Sequence, residues 1–188
     1  MFHTVHEYVR TCMQCLRNKF TNQRPLGLLQ PLPLPDHCWE QASHDLVKGL
    51  PKTPRGYGTI ITFVDRLSKR ILLALTTSTV DAVGYGRLFF DNIFRHFGLP
   101  RVLVSDRDPR FISNFWKALC KCLSTNLNMS TSHHPQTDGQ TERANRTIED
   151  MLRAYEAPHQ SDWDEHLIAA EFAYNNSVQA STDSTRDQ

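Results

Sequence analysis

Three short apolar runs in the first half of the chain limit its architecture more than any other feature. They lie in WEQASHDLV (39–47), GTIITFVDR (58–66) and RILLALTT (70–77), and a tight turn at Leu67 to Lys69 joins the last two. Short runs rich in β-branched and aromatic residues predict strands, and a tight connection between two of them predicts a hairpin. We therefore expect these three segments to form an antiparallel meander.

Helical and strand-like segments alternate after the meander. The sequence patterns predict, in order, a helix over 80–97, a strand in RVLVSD (101–106), a helix over 111–123, a strand over 125–129 and helices over 140–155 and 162–175. Ser161 is the expected N-cap of the last helix. This order predicts an α/β fold in which a mixed five-stranded sheet is flanked by helices.

The two ends of the chain differ from this middle part. Residues 1–20 are predicted to form a short helical segment, and residues 21–38 are a proline-rich linker. Proline fixes φ and favours extended backbone before it, so the linker should be semi-rigid. The main domain is expected over 39–180, with a disordered tail over 181–188.

Charge and hydropathy restrict the partners. Residues 1–149 hold 19 Lys or Arg against 12 Asp or Glu, whereas residues 150–188 hold 2 against 8. The basic excess of the longer part is suited to a polyanion such as nucleic acid. No apolar run approaches the length of a membrane span, and no secretory signal is visible. We therefore expect an intracellular protein without a membrane partner.

Three carboxylates stand at informative places. Asp45 lies inside the first predicted strand, Asp106 follows the fourth, and Glu142 is in the first turn of the helix over 140–155. Strand ends and helix starts are where an open α/β sheet presents groups to a ligand. Carboxylates gathered there repel one another unless a cation binds.

Oxygen ligands of this kind suit Mg²⁺ or Mn²⁺. A pair of such ions about 3.5–4 Å apart can hold the attacking and leaving oxygens of a phosphoryl displacement. The triad is therefore consistent with phosphodiester chemistry in a two-metal site. Because the chain has 20 acidic residues, such a spacing also arises by chance.

Five sequence segments carry a resemblance to a known family. They are DLVKGLP (45–51), FVDRLSKR (63–70), HFGLPRVLVSDRDPRF (96–111), MSTSHHPQTDGQTERANRTIEDMLRAY (129–155) and EFAYNNS (171–177). Together they closely resemble the integrase of Gypsy-type long-terminal-repeat retrotransposons, over about residues 5–180. The signature of that family is two Asp and a Glu with thirty-five residues between the last two, and thirty-five residues separate Asp106 from Glu142.

The resemblance implies a fold and an activity. The fold would be ribonuclease H-like, and Asp45, Asp106 and Glu142 would be the Mg²⁺ or Mn²⁺ ligands of a polynucleotidyl transferase. The enzyme would process the 3′ ends of the element's DNA and join them to a target duplex, which implies a homo-oligomer acting in the nucleus. In-line transesterification of this kind needs no nucleophilic Ser or Cys.

Four further residues are candidate contacts to nucleic acid: Arg146, His133, Gln136 and Lys69. Arg146 lies one turn from Glu142 on the same predicted helix face, where it could contact a phosphate or form an ordinary i,i+4 ion pair. His133 and His134 are in a polar loop, and adjacent residues rarely bind one metal ion together. We expect that loop to contact substrate.

Three other aspartates are assigned to structure. Asp65 lies at a strand–turn junction, where a turn or ion-pair role is expected. Asp108 precedes a proline and is expected to shape the turn after the fourth strand. Asp138 could cap the helix that carries Glu142.

The N-terminal cysteines leave a second function open. Cys12 and Cys15 match the second half of the family's His-His-Cys-Cys zinc module, whose histidines lie upstream of this chain. His3 and His6 stand much closer to Cys12 than the family spacing, so we expect zinc to be held poorly. A partial zinc module and an absent C-terminal DNA-binding domain suggest a truncated element. The alternative to an integrase is thus a catalytically idle remnant that binds nucleic acid or a partner protein.

Overall fold

The computed structural model describes residues 7–8, 11, 35–129, 139–155, 162–179 and 184–185. The chain divides into two compact units, Met1–Pro31 and Leu32–Gln188. In the first unit the described residues are helical, and the Thr11 hydroxyl donates a hydrogen bond to the Glu7 carbonyl over 2.9 Å. Cys12, Cys15, most of the predicted linker and most of the predicted tail lie outside the described residues.

The second unit contains seven described strands and four described α-helices of two turns or more. The strands are β1 (Gln41–Lys48), β2 (Thr59–Asp65), β3 (Ile71–Thr76), β4 (Val102–Ser105), β5 (Asn126–Met129), β6 (Val178–Gln179) and β7 (Ser184–Thr185). The helices are α1 (Ala82–Phe89), α2 (Asn114–Cys122), α3 (Gly139–Tyr155) and α4 (Trp163–Asn176). None of the described helices is both long and apolar enough to cross a membrane.

Five of the strands form one mixed sheet in the order β3-β2-β1-β4-β5. The pairs β3–β2 and β2–β1 are antiparallel, which confirms the predicted meander. The pairs β1–β4 and β4–β5 are parallel. The connection that leads into β4 contains α1, and the connection from β4 to β5 contains α2. The mixed five-stranded sheet flanked by helices is therefore confirmed. Strands β6 and β7 pair separately as a short antiparallel ribbon.

Helices cover the five-stranded sheet on both faces. On one face, Tyr85 of α1 and Trp116 of α2 pack in a cluster with Phe63 of β2. On the other, Ile148 of α3 packs in a cluster with Ile60 of β2. Burial of each such side chain contributes about 1.5–3 kcal/mol to folding. Because both faces are covered, β2 is buried at every position, and its apolar run does not alternate with polar residues.

The helix predicted over 80–97 is interrupted. Asp81 caps α1, since its carboxylate accepts a hydrogen bond from the amide of Gly84 at 2.8 Å. The chain then continues through a π-helical segment, Phe90–Phe94, and a last turn, Arg95–Phe97. It ends as predicted at Gly98, whose φ of +79° is unfavourable for other residues.

Two predicted helix starts are corrected. Helix α2 begins at Asn114 because the Ser113 hydroxyl caps it by accepting a hydrogen bond from the Trp116 amide, while Phe111 is buried in the core before it. Helix α4 has Asp162 at its N-cap position, without a side-chain cap hydrogen bond, and Ser161 lies outside the described residues.

Side chains of α4 occupy the free edge of β3. Asn175 accepts a hydrogen bond from the Ile71 amide and donates one to the Ile71 carbonyl, each at 2.9 Å. Glu171, one turn earlier, accepts from the Leu73 amide at 2.7 Å. Unpaired backbone groups on an edge strand are a template for another strand. The EFAYNNS segment therefore provides hydrogen-bond partners for backbone groups at the edge of β3.

Candidate active site

Parallel pairing of β1 and β4 brings two of the predicted acidic residues together. The register of this pair ends with His44 beside Ser105. Asp45 is the next residue of β1, and Asp106 directly follows the end of β4. Asp45 is partly buried, and its pKa is raised, first by desolvation and then by the negative charge of Asp106. The two carboxylates are therefore close enough for the charge of Asp106 to act on Asp45.

Helix α3 is held against β1 by two side-chain contacts. In its first turn, the Thr141 hydroxyl donates a hydrogen bond to the Ser43 hydroxyl at 2.7 Å, and both residues are buried. One turn later, Asn145 Nδ2 donates to Asp45 Oδ2 at 2.8 Å. The ionised form of Asp45 is favoured by this bond and by the charge of Lys48, and both oppose the desolvation.

A cleft of about 260 Å³ lies between β1 and α3. Its lining consists of Asp45, Leu46, Val47, Lys48, Glu142, Asn145, Arg146 and Glu149. The Glu142 side chain is 71% exposed and pairs with Arg146 at 3.2 Å. At that exposure the pair contributes little to stability, so Glu142 can exchange this partner for another at small cost. The opposite side of α3 packs on the core, with Ala144, Ile148 and Leu152 buried.

The three predicted ligands do not form a closed metal centre in this conformation. No group of three or more His, Cys, Asp or Glu side chains within the described ranges is arranged to hold a metal ion. The structure brings Asp45 close to Asp106 and places Glu142 in the same cleft as Asp45. The donors fit a divalent cation in kind, because they are hard oxygens and a cation would offset the charge of Asp106, which adds to desolvation in raising the pKa of Asp45.

The aspartates assigned to structure are engaged in hydrogen bonds where the structure describes them. Asp65 is fully buried and accepts bonds from the backbone amides of Trp39, Leu67 and Ser68, which fix the turn after β2. Asp108 is paired with Lys48 and Arg110. Asp138 lies outside the described residues.

The predicted nucleic-acid contacts are only partly described. Arg146 is exposed at the cleft, and His133 and Gln136 lie outside the described residues. Lys69 is half-buried with a φ of +67°, and its Nζ donates to the Arg66 carbonyl. Burial lowers the pKa of Lys69, and the charges of Arg66 and Arg143 lower it further. Arg66 of the same turn and Arg143 of α3 are therefore near enough to Lys69 for their charges to act on it.

Sequence reasoning missed two cleft residues, Asn145 and Lys48. Asn145 stands three residues after Glu142, a spacing that places two side chains on neighbouring positions of one helix face. That spacing could have identified it. Lys48 stands three residues after Asp45 in a strand, and a regular pleat puts side chains at that spacing on opposite faces, so no local pattern associates the two although both line the cleft.

The chain has relatives among curated proteins. No family model matches it. The Tf2-3 and Tf2-4 transposon polyproteins of Schizosaccharomyces pombe are each 35% identical to it over 181 residues, which is 96% of the chain. The chain is a homologue of Gypsy-type retrotransposon polyproteins. It spans 14% of the length of those polyproteins.

Solved structures show which fold this retrotransposon segment has. The catalytic core domain of HTLV-2 integrase in complex with magnesium, in a trimeric form, superposes with a TM-score of 0.64 at 20% identity, covering 82% of this chain and 96% of that one. The catalytic core domain of BIV integrase gives 0.62 at 21% identity, covering 79% and 91%. A simian T-cell lymphotropic virus intasome with a PP2A regulatory subunit gives 0.68 at 20%, covering 100% and 66%. The fold is ribonuclease H-like, as the resemblance implied.

Proposed function

We propose that this retrotransposon segment is an integrase catalytic core, a divalent-metal-dependent polynucleotidyl transferase. One observation carries the proposal: Asp45 of β1 and Asp106, directly after β4, each follow the last paired residue of two parallel strands, and Glu142 lines the cleft beside Asp45. The same three residues have the family spacing, in a chain whose homologues are retrotransposon polyproteins. One solved relative of the fold was determined with magnesium.

Each cleft residue has a role in this proposal. Asp45 and Asp106 would hold Mg²⁺ or Mn²⁺, and Glu142 would complete the site by leaving its exposed pair with Arg146. The bound metal would supply a Lewis acid and lower the pKa of an attacking water. Asn145 orients Asp45 through its hydrogen bond, and Arg146, once released, is within reach of a phosphate beside the site.

The proposed substrates are the ends of the element's DNA and a target duplex. Lys69, His133 and Gln136 are proposed as further contacts to nucleic acid, with Lys69 supported by the two cations, Arg66 and Arg143, whose charges act on it. Assembly of several copies on DNA is supported by the dimeric and trimeric forms and the intasome among the structural relatives. Action on genomic DNA implies work in the nucleus.

A Mn²⁺-dependent cleavage and strand-transfer assay on an oligonucleotide duplex tests the proposal. Wild-type protein should nick or join the duplex, and Asp106→Asn and Glu142→Gln should each abolish this. Asp106→Asn relieves like-charge repulsion and removes no apolar packing, so its fold should remain intact by circular dichroism. Asp150→Asn, an exposed change on the same helix as Glu142, is the matched control and should retain activity. Cleavage by Asp106→Asn at the wild-type rate would refute the assignment.

The second candidate function is a catalytically idle remnant that binds nucleic acid. It is favoured by the lack of a closed three-ligand group in the described part of the chain. The same assay separates the two candidates, provided that DNA binding is measured in parallel. Wild-type protein that binds DNA but neither nicks nor joins it with Mn²⁺ would support the remnant.

A further inference from the structure

Asp108 ties the loop after β4, which carries Asp106, to the end of β1, which carries Asp45. Its carboxylate is 2% exposed and accepts Lys48 Nζ at the end of β1, sixty residues earlier in the chain. The same carboxylate accepts Arg110 Nε at 2.8 Å and the Arg110 amide at 3.0 Å. Its own backbone amide donates to Asp106 Oδ1 at 3.0 Å. Asp108 therefore pairs with Lys48, three residues after Asp45, and its amide orients the Asp106 carboxylate.

Asp106 needs such support because it lies beyond the hydrogen-bonded ladder. The pairing of β1 with β4 ends at Ser105, and the chain leaves the sheet after it. The contacts of Asp108 with Arg110 span two residues and order only the loop itself. The Lys48 contact is the long-range one, and it ties that loop to β1 three residues after Asp45.

We infer that the ion pair of Lys48 and Asp108 is a positioning element that holds Asp106 beside Asp45 for metal binding. The inference rests on the proposed function, because it concerns the same site. Lys48 also lines the cleft, with half of its side chain exposed. Its positive charge taken alone would disfavour a cation bound at Asp45 and Asp106. Removing the Lys48 ammonium group should therefore strengthen metal binding if only its charge matters, and weaken metal binding if it positions Asp106.

Lys48→Met makes this difference measurable. It removes the ammonium group and keeps an unbranched side chain of similar reach. If Lys48 acts through Asp108, Mn²⁺ affinity measured by titration calorimetry should fall about tenfold, as is usual for groups that orient metal ligands. If only its charge matters, Mn²⁺ should bind more tightly. Lys48→Arg should restore near-wild-type affinity, and Lys52→Met, an exposed change in the next loop, should leave it unchanged.

A second measurement does not depend on metal. Loss of the tie to β1 should increase hydrogen exchange at the Asp108 amide, which the wild-type protein protects by its bond to Asp106. Unchanged exchange in Lys48→Met, or Mn²⁺ affinity equal to or above wild type, would overturn the inference. Wild-type protein that binds no Mn²⁺ and cleaves no DNA would instead refute the proposed function, and the exchange result would still decide whether Lys48 holds the loop.

Discussion

Asn145 on α3 donates a hydrogen bond to the Asp45 carboxylate on β1 at 2.8 Å, although one hundred residues separate them in the chain. Asn145 is itself 7% exposed, and its Oδ1 is buried without a hydrogen-bond partner among the described residues. A buried polar atom of this kind costs stability unless it is satisfied. The contact therefore fixes the orientation of Asp45 from a helix that is distant in the sequence.

Replacing this donor should impair catalysis more than folding. Asn145→Ala removes a hydrogen bond that favours the ionised form of Asp45, together with the unsatisfied Oδ1. We expect single-turnover cleavage with Mn²⁺ to fall about 10- to 100-fold, with little change in the thermal midpoint. Thr147→Ala, an exposed change two residues later, is the control. Cleavage at the wild-type rate would show that Asn145 does not orient Asp45.

His44 should make the protein sensitive to acid. Its ring is fully buried against Phe111 and Tyr85, at 4.3 Å and 5.4 Å between ring centres, and burial lowers its pKa to about 3. The unfolded chain, with a His pKa near 6.5, binds the proton more readily, so stability falls as pH drops from about 6.5 towards 3. The expected slope is about 1.4 kcal/mol per pH unit from this residue alone.

Urea denaturation between pH 7 and pH 4 measures that slope. His44→Phe should reduce it, because an uncharged ring occupies the same aromatic cluster. His96→Gln, at an exposed position after the π-helical segment, should not. Equal slopes in wild type and His44→Phe would contradict the assignment of acid sensitivity to His44.

Asn175 should stabilise the protein and protect the edge of β3 from pairing with another strand. Asn175→Ala leaves both the amide and the carbonyl of Ile71 without their partner, and each buried unsatisfied group costs about 1–3 kcal/mol. We expect a lower free energy of unfolding and a gain of self-association, since the edge becomes open to strand pairing. Denaturation and light scattering measure the two effects. Asn176→Ala, at the exposed neighbouring position, should show neither, and an Asn175→Ala protein that matches it would exclude the edge role.

Binding to duplex DNA should weaken steeply with salt. The excess of seven positive charges over residues 1–149 favours phosphate contacts with little dependence on base sequence. Arg146→Gln should reduce the slope of log affinity against log salt by about 0.9, the value for one phosphate contact. Fluorescence anisotropy at several salt concentrations provides the slope. Lys121→Gln, on α2 at the other face of the sheet, should leave it unchanged, and an identical slope for Arg146→Gln would remove Arg146 from the DNA-binding surface.

Much of the fold could be predicted because its signals are local. Strands β1 to β3 appear as short apolar runs, and α3 appears as a stripe that includes Ala144, Ile148 and Leu152. Helix ends depend on tertiary contacts as well as on local pattern. Phe111 extends the apolar pattern of α2, but the Ser113 cap and burial of Phe111 in the core place the start of α2 at Asn114. At the start of α2, tertiary packing therefore decides the helix boundary, and the local apolar periodicity does not.

The acidic residues of the site could likewise be selected from sequence, because Asp106 and Glu142 have the family spacing and Asp45 lies in a recognisable segment. Their arrangement could not. The parallel pairing of β1 with β4, the bond from Asn145 to Asp45 and the tie from Lys48 to Asp108 join residues that are sixty or more positions apart. Periodicity reports only which face of its own element a side chain occupies. Which elements then meet depends on closing long loops and on packing both faces of the sheet, so only the tertiary structure decided which partners Asp45 and Asp106 have.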